Sequence, residues 1–106
     1  MADRLLGALS LARKSGALVL GFDAVAAALA KGKVCGVWLA SDLSPKTRGR
    51  IERLCGACPV HALPLAQRQV AAVAGKPVGV LALADKNLNA LVLGSMPKEE
   101  NTEMKR

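Results

Sequence analysis

Apolar residues recur at helical spacing in some stretches of this chain and run together in others, and the alternation predicts its elements. Leu5, Leu9 and Ala12 share one face of a segment from Arg4 to Lys14, as an amphipathic helix requires, and Ser15-Gly16 stops it. Ala17 to Leu20 is a short apolar run closed by Gly21, which suits a strand. From Phe22 to Lys31 an alanine-rich stretch with Val25 and Leu29 four apart predicts a second helix, ended by Gly32. Val34 to Ala40 shows no polar alternation, the pattern of a central strand covered on both faces. Ser44-Pro45 opens a third helix, because serine accepts orphan amide hydrogen bonds and proline at the first helical position forfeits none. This helix should reach Leu54 or Cys55, with Ile51 and Leu54 inward and Lys46, Arg48, Arg50 and Arg53 largely exposed. A strand over Val60 to Leu63, a helix near Ala66 to Val73, a second continuous apolar run over Val78 to Ala84 and a last helix over Asp85 to Leu93 complete the pattern.

Helices alternating with short strands predict an α/β fold, a sheet with helices on both faces. The chain has 106 residues and 52% hydrophobic content, enough for one domain with a true core and too little for two. Residues 1–94 are expected to form that domain. Residues 95–106, SMPKEENTEMKR, are polar and aperiodic and are expected to be a disordered tail. Trp38 and Phe22 are the only aromatic residues, so the core must be mainly aliphatic. No apolar run approaches the roughly 18 residues of a membrane span, and the amphipathic first segment does not read as a signal peptide. Both features, with an odd number of cysteines, fit a cytoplasmic protein.

Charge then narrows the partners. The formal net charge is +7, and Lys98, Lys105 and Arg106 cancel Glu99, Glu100 and Glu103, so the whole excess lies on Met1 to Gly94. A basic body of this kind attracts polyanions, nucleic acid first among them; the plain alternative is a solvated basic surface. Single-strand binders stack bases on exposed rings, and a chain with no tyrosine is poorly equipped for that. Backbone contacts, helix N-termini and shape are the means that remain, and they suit folded RNA.

Catalytic and metal chemistry finds little footing. Cys55 and Cys58 form a CxxC pair, but a structural zinc needs four ligands, and Cys55 falls near a helix C-terminus, where the dipole opposes a thiolate. Free thiols are the expected state, with Cys35 and His61 as the possible further ligands. His61 has no nucleophile placed beside it by a motif. Gly16 and Gly21 have phosphate-loop spacing, yet Phe22-Asp23 stands where lysine and a hydroxyl residue would follow. Asp23, Asp42 and Asp85 sit at element boundaries, as caps and turn residues do. Neither a catalytic site, a metal nor a cofactor is expected. GVWLASD from Gly36 and GVLALAD from Gly79 are alike because each is a buried strand running into a polar turn, and open α/β sheets bind ligands outside such strand ends.

The order of elements, with LVLGFDAVAAALAKGK, then VWLASDLSPKT, then AGKPVGVLAL, resembles the kink-turn-binding ribosomal protein superfamily, which includes the archaeal seven-Ae and eukaryotic thirty-e large-subunit proteins, and especially its bacterial YlxQ-like branch. The likeness covers about residues 4 to 93. It implies a three-layer α/β/α sandwich with a four-stranded mixed sheet, and a structured RNA, possibly ribosomal RNA, as partner of a monomer. The resemblance also implies where RNA is gripped: at the glycine opening the second helix and the residues after it, and at the loop before the last long strand.

Transferred to this chain, the grip falls on Gly21, Phe22 and Asp23 with the face leading to Lys31, and on Gly75, Lys76, Pro77 and Val78. Arg13, Lys14 and Lys33 are expected to add attraction for phosphates. The family's reading motif has Asn and Glu after the glycine and one residue, with Lys three further on; here Asp23, Ala24 and Ala27 take those places. Asp accepts hydrogen bonds but donates none, and the alanines do neither polar job, so discrimination should be relaxed. A protein-interaction module that keeps the fold but has lost RNA reading is the alternative, supported by the alanine-rich second helix. An accessory domain of an RNA-modifying enzyme is weaker still.

Overall fold

The computed structural model describes residues 2–96. Its elements follow the order α1 (Ala2–Lys14), β1 (Leu18–Leu20), α2 (Phe22–Ala30), β2 (Gly36–Ala40), α3 (Pro45–Cys55), β3 (Val60–Leu63), α4 (Gln67–Ala74), β4 (Val80–Leu83) and α5 (Lys86–Gly94). The sheet order is β1-β4-β2-β3. β4 runs antiparallel to both β1 and β2, and β2 runs parallel to β3. The two continuous apolar runs are thus the two central strands, and the sheet is mixed.

Every residue of β2 and β4 is buried, because each face of the sheet carries helices. Alternation along a strand sends Trp38, Leu81 and Leu83 to one side, where they join Leu5 and Leu9 of α1, Val70 of α4 and Val92 of α5. Val37, Leu39, Val80 and Ala82 face the other side and pack with Val25 of α2 and with Ile51 and Cys55 of α3. The architecture is a three-layer α/β/α sandwich. Among the described residues no helix is long and apolar enough to cross a membrane.

Several boundaries have local causes. Ser44 Oγ accepts from the Thr47 amide at 3.2 Å and caps α3. Asp85 Oδ1 accepts from the Leu88 amide at 3.0 Å and caps α5. In α3 the expectation for Leu54 is corrected: it is exposed, and Cys55 is buried in its stead. Ile51 and Cys55, four apart, define the inward stripe, and Leu54 rotates onto its flank. The strand expected over Val34 to Ala40 begins pairing only at Gly36, and that over Val78 to Ala84 only at Val80. β3 is bracketed by Pro59 and Pro64, whose rings bring no amide to its ends. The polar segment expected from Ser95 begins inside the domain: Ser95 is buried, its hydroxyl donates to the Leu91 carbonyl at 2.8 Å, and Met96 packs against the core. The remainder of that segment lies outside the described residues.

Trp38, fully buried, organises the larger core. Its indole Nε1 donates to Asn89 Oδ1 at 3.0 Å, and its ring lies beside that of His61, its register partner on β3, with centroids 4.4 Å apart. Burial pushes the His61 imidazole below its ordinary value, favouring the neutral ring against the indole. Asn89 reaches Trp38 by passing close over Gly36, where an added Cβ would stand 2.6 Å from Asn89 Oδ1. Gly36→Ala is therefore expected to displace the amide, orphan the indole N–H and cost about 1–3 kcal/mol. Urea unfolding measures this; a loss below about 0.5 kcal/mol would show that the amide has room to move.

Candidate functional site

The chain leaves β1 and enters α2 through Gly21, whose φ of 97° and ψ of 151° fit glycine and little else. The Gly21 amide donates to the Val80 carbonyl at 2.8 Å, pinning the start of α2 to the beginning of β4. No side chain caps α2, so its first amides and the positive end of its dipole face outward. On the neighbouring connection α4 ends at Gly75, in the left-handed conformation with φ of 84°. That reversal lets Lys76 and Pro77 lead straight into Val78 and β4.

These two connections flank one open cleft of about 530 Å³. Gly21, Phe22, Lys76, Pro77 and Val78 line it from one side, and Ser44 and Thr47 at the start of α3 line it from the other. Gln67 and Asp42 are also on its wall. Asp42 has a structural task there: its Oδ1 accepts from the Gln67 amide at 3.0 Å and holds the start of α4 against the β2–α3 turn. Gln69 Oε1 also accepts from the Ala66 amide at 2.8 Å.

Of the residues nominated from sequence, the fold brings Gly21, Phe22, Lys76, Pro77 and Val78 to this cleft, with Gly75 adjoining it and Asp23 exposed on the first turn of α2. The others are elsewhere. Lys31 closes the far end of α2, about 15 Å along the helix axis from Gly21 at 1.5 Å per residue. Lys33 lies on the connection into β2, at the sheet end where the Cys35 amide meets the Leu83 carbonyl, opposite the end where Gly21 meets Val80. The Arg13 guanidinium donates to the Val73 carbonyl, and Arg13 and Lys14 border a separate groove between α1 and α4. Sequence reading missed Asp42, Ser44, Thr47 and Gln67. The polar turn after GVWLASD, at the carboxyl end of a buried strand, is the signal that points to them.

The three thiols are free. Burial, then the neighbouring Cys58 and Glu52, pushes the Cys55 thiol up; burial and then Cys35 do the same for Cys58. Neither is an activated nucleophile. Among the described residues no three His, Cys, Asp or Glu side chains converge as a metal-ligand set.

A four-stranded mixed sheet between two helical layers, with a cleft at the opening of α2, defines the class of protein as a three-layer α/β/α domain. The chain belongs to the Ribosomal protein L7Ae/L30e/S12e/Gadd45 family, whose pattern matches residues 3–92. No curated protein sequence matches it. Among solved structures it is similar to a protein of unknown function from Bacillus halodurans C, with 25% identity over 87% of this chain and 95% of that one and a TM-score of 0.76. It is also similar to the Giardia lamblia 15.5kD RNA binding protein, with 15% identity, coverage of 89% and 82%, and a TM-score of 0.70. The second likeness is one of fold.

Proposed function

We propose that the protein binds structured, kink-turn-like RNA without catalysis, as a ribosomal or ribosome-associated protein of the cytoplasm, and with relaxed specificity. One juxtaposition carries the reading: the uncapped start of α2 at Gly21 and the Lys76–Val78 segment face a single cleft. Outward amides and a lysine suit phosphate oxygens, while the cleft between them has room for a base displaced from its stack. Membership of a ribosomal-protein family, the RNA-binding relative in Giardia and the +7 charge of the chain agree with it.

Lys76, on the connection that shares the cleft with the start of α2, and Lys31, at the far end of that helix, give a test. Lys76→Glu is expected to weaken binding to a bent, internally looped RNA by about tenfold in moderate salt and to reduce the slope of log affinity against log salt by about one. Lys31→Glu should leave both nearly unchanged. Titrations of labelled RNA over a salt series would measure the two. Equal effects, or no RNA binding by the native chain, would replace this reading with that of a protein-interaction module.

A further inference from the structure

The cleft supplies little net charge of its own, because Lys76 and Asp42 both line it, and four of the cations nominated from sequence lie away from it. Exposed Arg68 follows Gln67 on α4, but the row of cations that adjoins the cleft is on α3, which begins there with Ser44 and Thr47. This helix carries Lys46, Arg48, Arg50 and Arg53 against a single acid, Glu52. Lys46, Arg50 and Arg53 follow one another at spacings of four and three and so form one stripe. All three are exposed, on the side away from buried Ile51 and Cys55.

Two contacts fix this stripe to the site. The Arg50 guanidinium lies over the Phe22 ring, 4.6 Å from its centroid, and Phe22 lines the cleft beside Gly21. Arg53 folds back along its helix, since a Cβ at Gly49 would have the Arg53 guanidinium as its nearest neighbour at 3.8 Å. Gly49 itself is unexplained by the fold. It sits in a helix interior, where glycine is unfavourable, its φ is not positive, and no neighbour would obstruct a side chain there. Gly7 in α1 is equally unobstructed, but no comparable row of cations surrounds it.

We propose that the outer face of α3 is a second RNA-contact surface, a phosphate track continuous with the cleft, on which Lys46, Arg50 and Arg53 hold the backbone of a helical arm leading away from the bend. Gly49, with no side chain of its own beside the Arg53 guanidinium, lets that backbone come close to the helix. The proposal rests on the RNA-binding reading of the cleft and adds to it the direction in which the RNA departs. A planar guanidinium held over a ring is already oriented when a phosphate arrives.

The test uses the full chain and two bent RNAs, one with a long helical arm and one cut back to the bend. Lys46→Gln with Arg53→Gln should weaken binding of the long-armed RNA by about tenfold in 0.1 M salt and lower the salt slope by about 1.5 to 2, while affinity for the short RNA changes less than twofold. Gly49→Gln should raise the thermal midpoint, because glutamine is the better helix former, and yet weaken the long-armed RNA by fivefold or more. Opposite signs for folding and binding are not expected of a purely structural glycine. If Lys76→Glu weakens both RNAs but the α3 variants weaken neither, the track is refuted and the cleft reading stands. Native protein that binds neither RNA overturns both. Equal weakening of the two RNAs by the α3 double variant would show a diffuse field and overturn the track.

Discussion

Trp38→Ala is expected to lower the free energy of unfolding by about 3–5 kcal/mol, a large part of the total for a domain of this size. Trp38 is completely buried and is the largest side chain of the core, so its truncation opens a void bordered by Leu5, Leu9, Leu81 and Val92. The same change takes the partner from Asn89 Oδ1 and the ring neighbour from His61. At roughly 4–8 °C per kcal/mol, the thermal midpoint should fall by at least about 12 °C. Denaturant unfolding with an unchanged slope would assign the loss to the folded state. Trp38→Phe, which keeps most of the apolar body but loses the N–H, should cost clearly less. A loss below about 2 kcal/mol for the alanine variant would mean that the α1 and α5 side chains close over the gap, contrary to the packing described.

For binding, the largest gain is expected from Asp23→Asn, Ala24→Glu and Ala27→Lys together, which installs the reading pattern that the resemblance implies. All three positions are exposed on α2, so the changes should leave folding almost untouched. A base-edge contact is worth about 1–3 kcal/mol of discrimination, and recovering even one, with the added lysine beside a phosphate, should raise the preference for a kink-turn over plain duplex by more than tenfold. Competition binding between the two RNAs measures the ratio directly. An unchanged ratio would mean that the start of α2 does not face base edges, whatever the cleft beside it does.

The fold was legible in the sequence because two kinds of signal agreed. Val34 to Ala40 and Val78 to Ala84 lacked polar alternation, and they contain the two central strands. Ser44-Pro45 and Asp85 marked helix starts by their chemistry, and the structure shows both side chains capping. Leu54 was misplaced because helical spacing gives a stripe but not its edge. The cleft was legible only in part. Gly21 and the Lys76–Val78 segment were identifiable from the resemblance, whereas Asp42 and Gln67 meet through one hydrogen bond between residues far apart in sequence. Net charge likewise shows the excess of cations over acids, not where the cations gather. Lys31 and Lys33 lie just beyond the helix that Gly21 opens and yet at the other end of the sheet in space, because α2 carries the chain from one end to the other.

The prolines that bracket β3 also bear on self-association. β3 and β1 are the two margins of the sheet, and they expose only four and three residues of ladder. Long, flat margins invite another strand to add on, and short ones interrupted by proline do not. A chain arriving at either margin would gain only a few main-chain bonds before reaching a turn or a ring without an amide. The margins of the described sheet are therefore a poor template for fibrils even at high concentration, which leaves the helices and the cleft as the surfaces open to a partner.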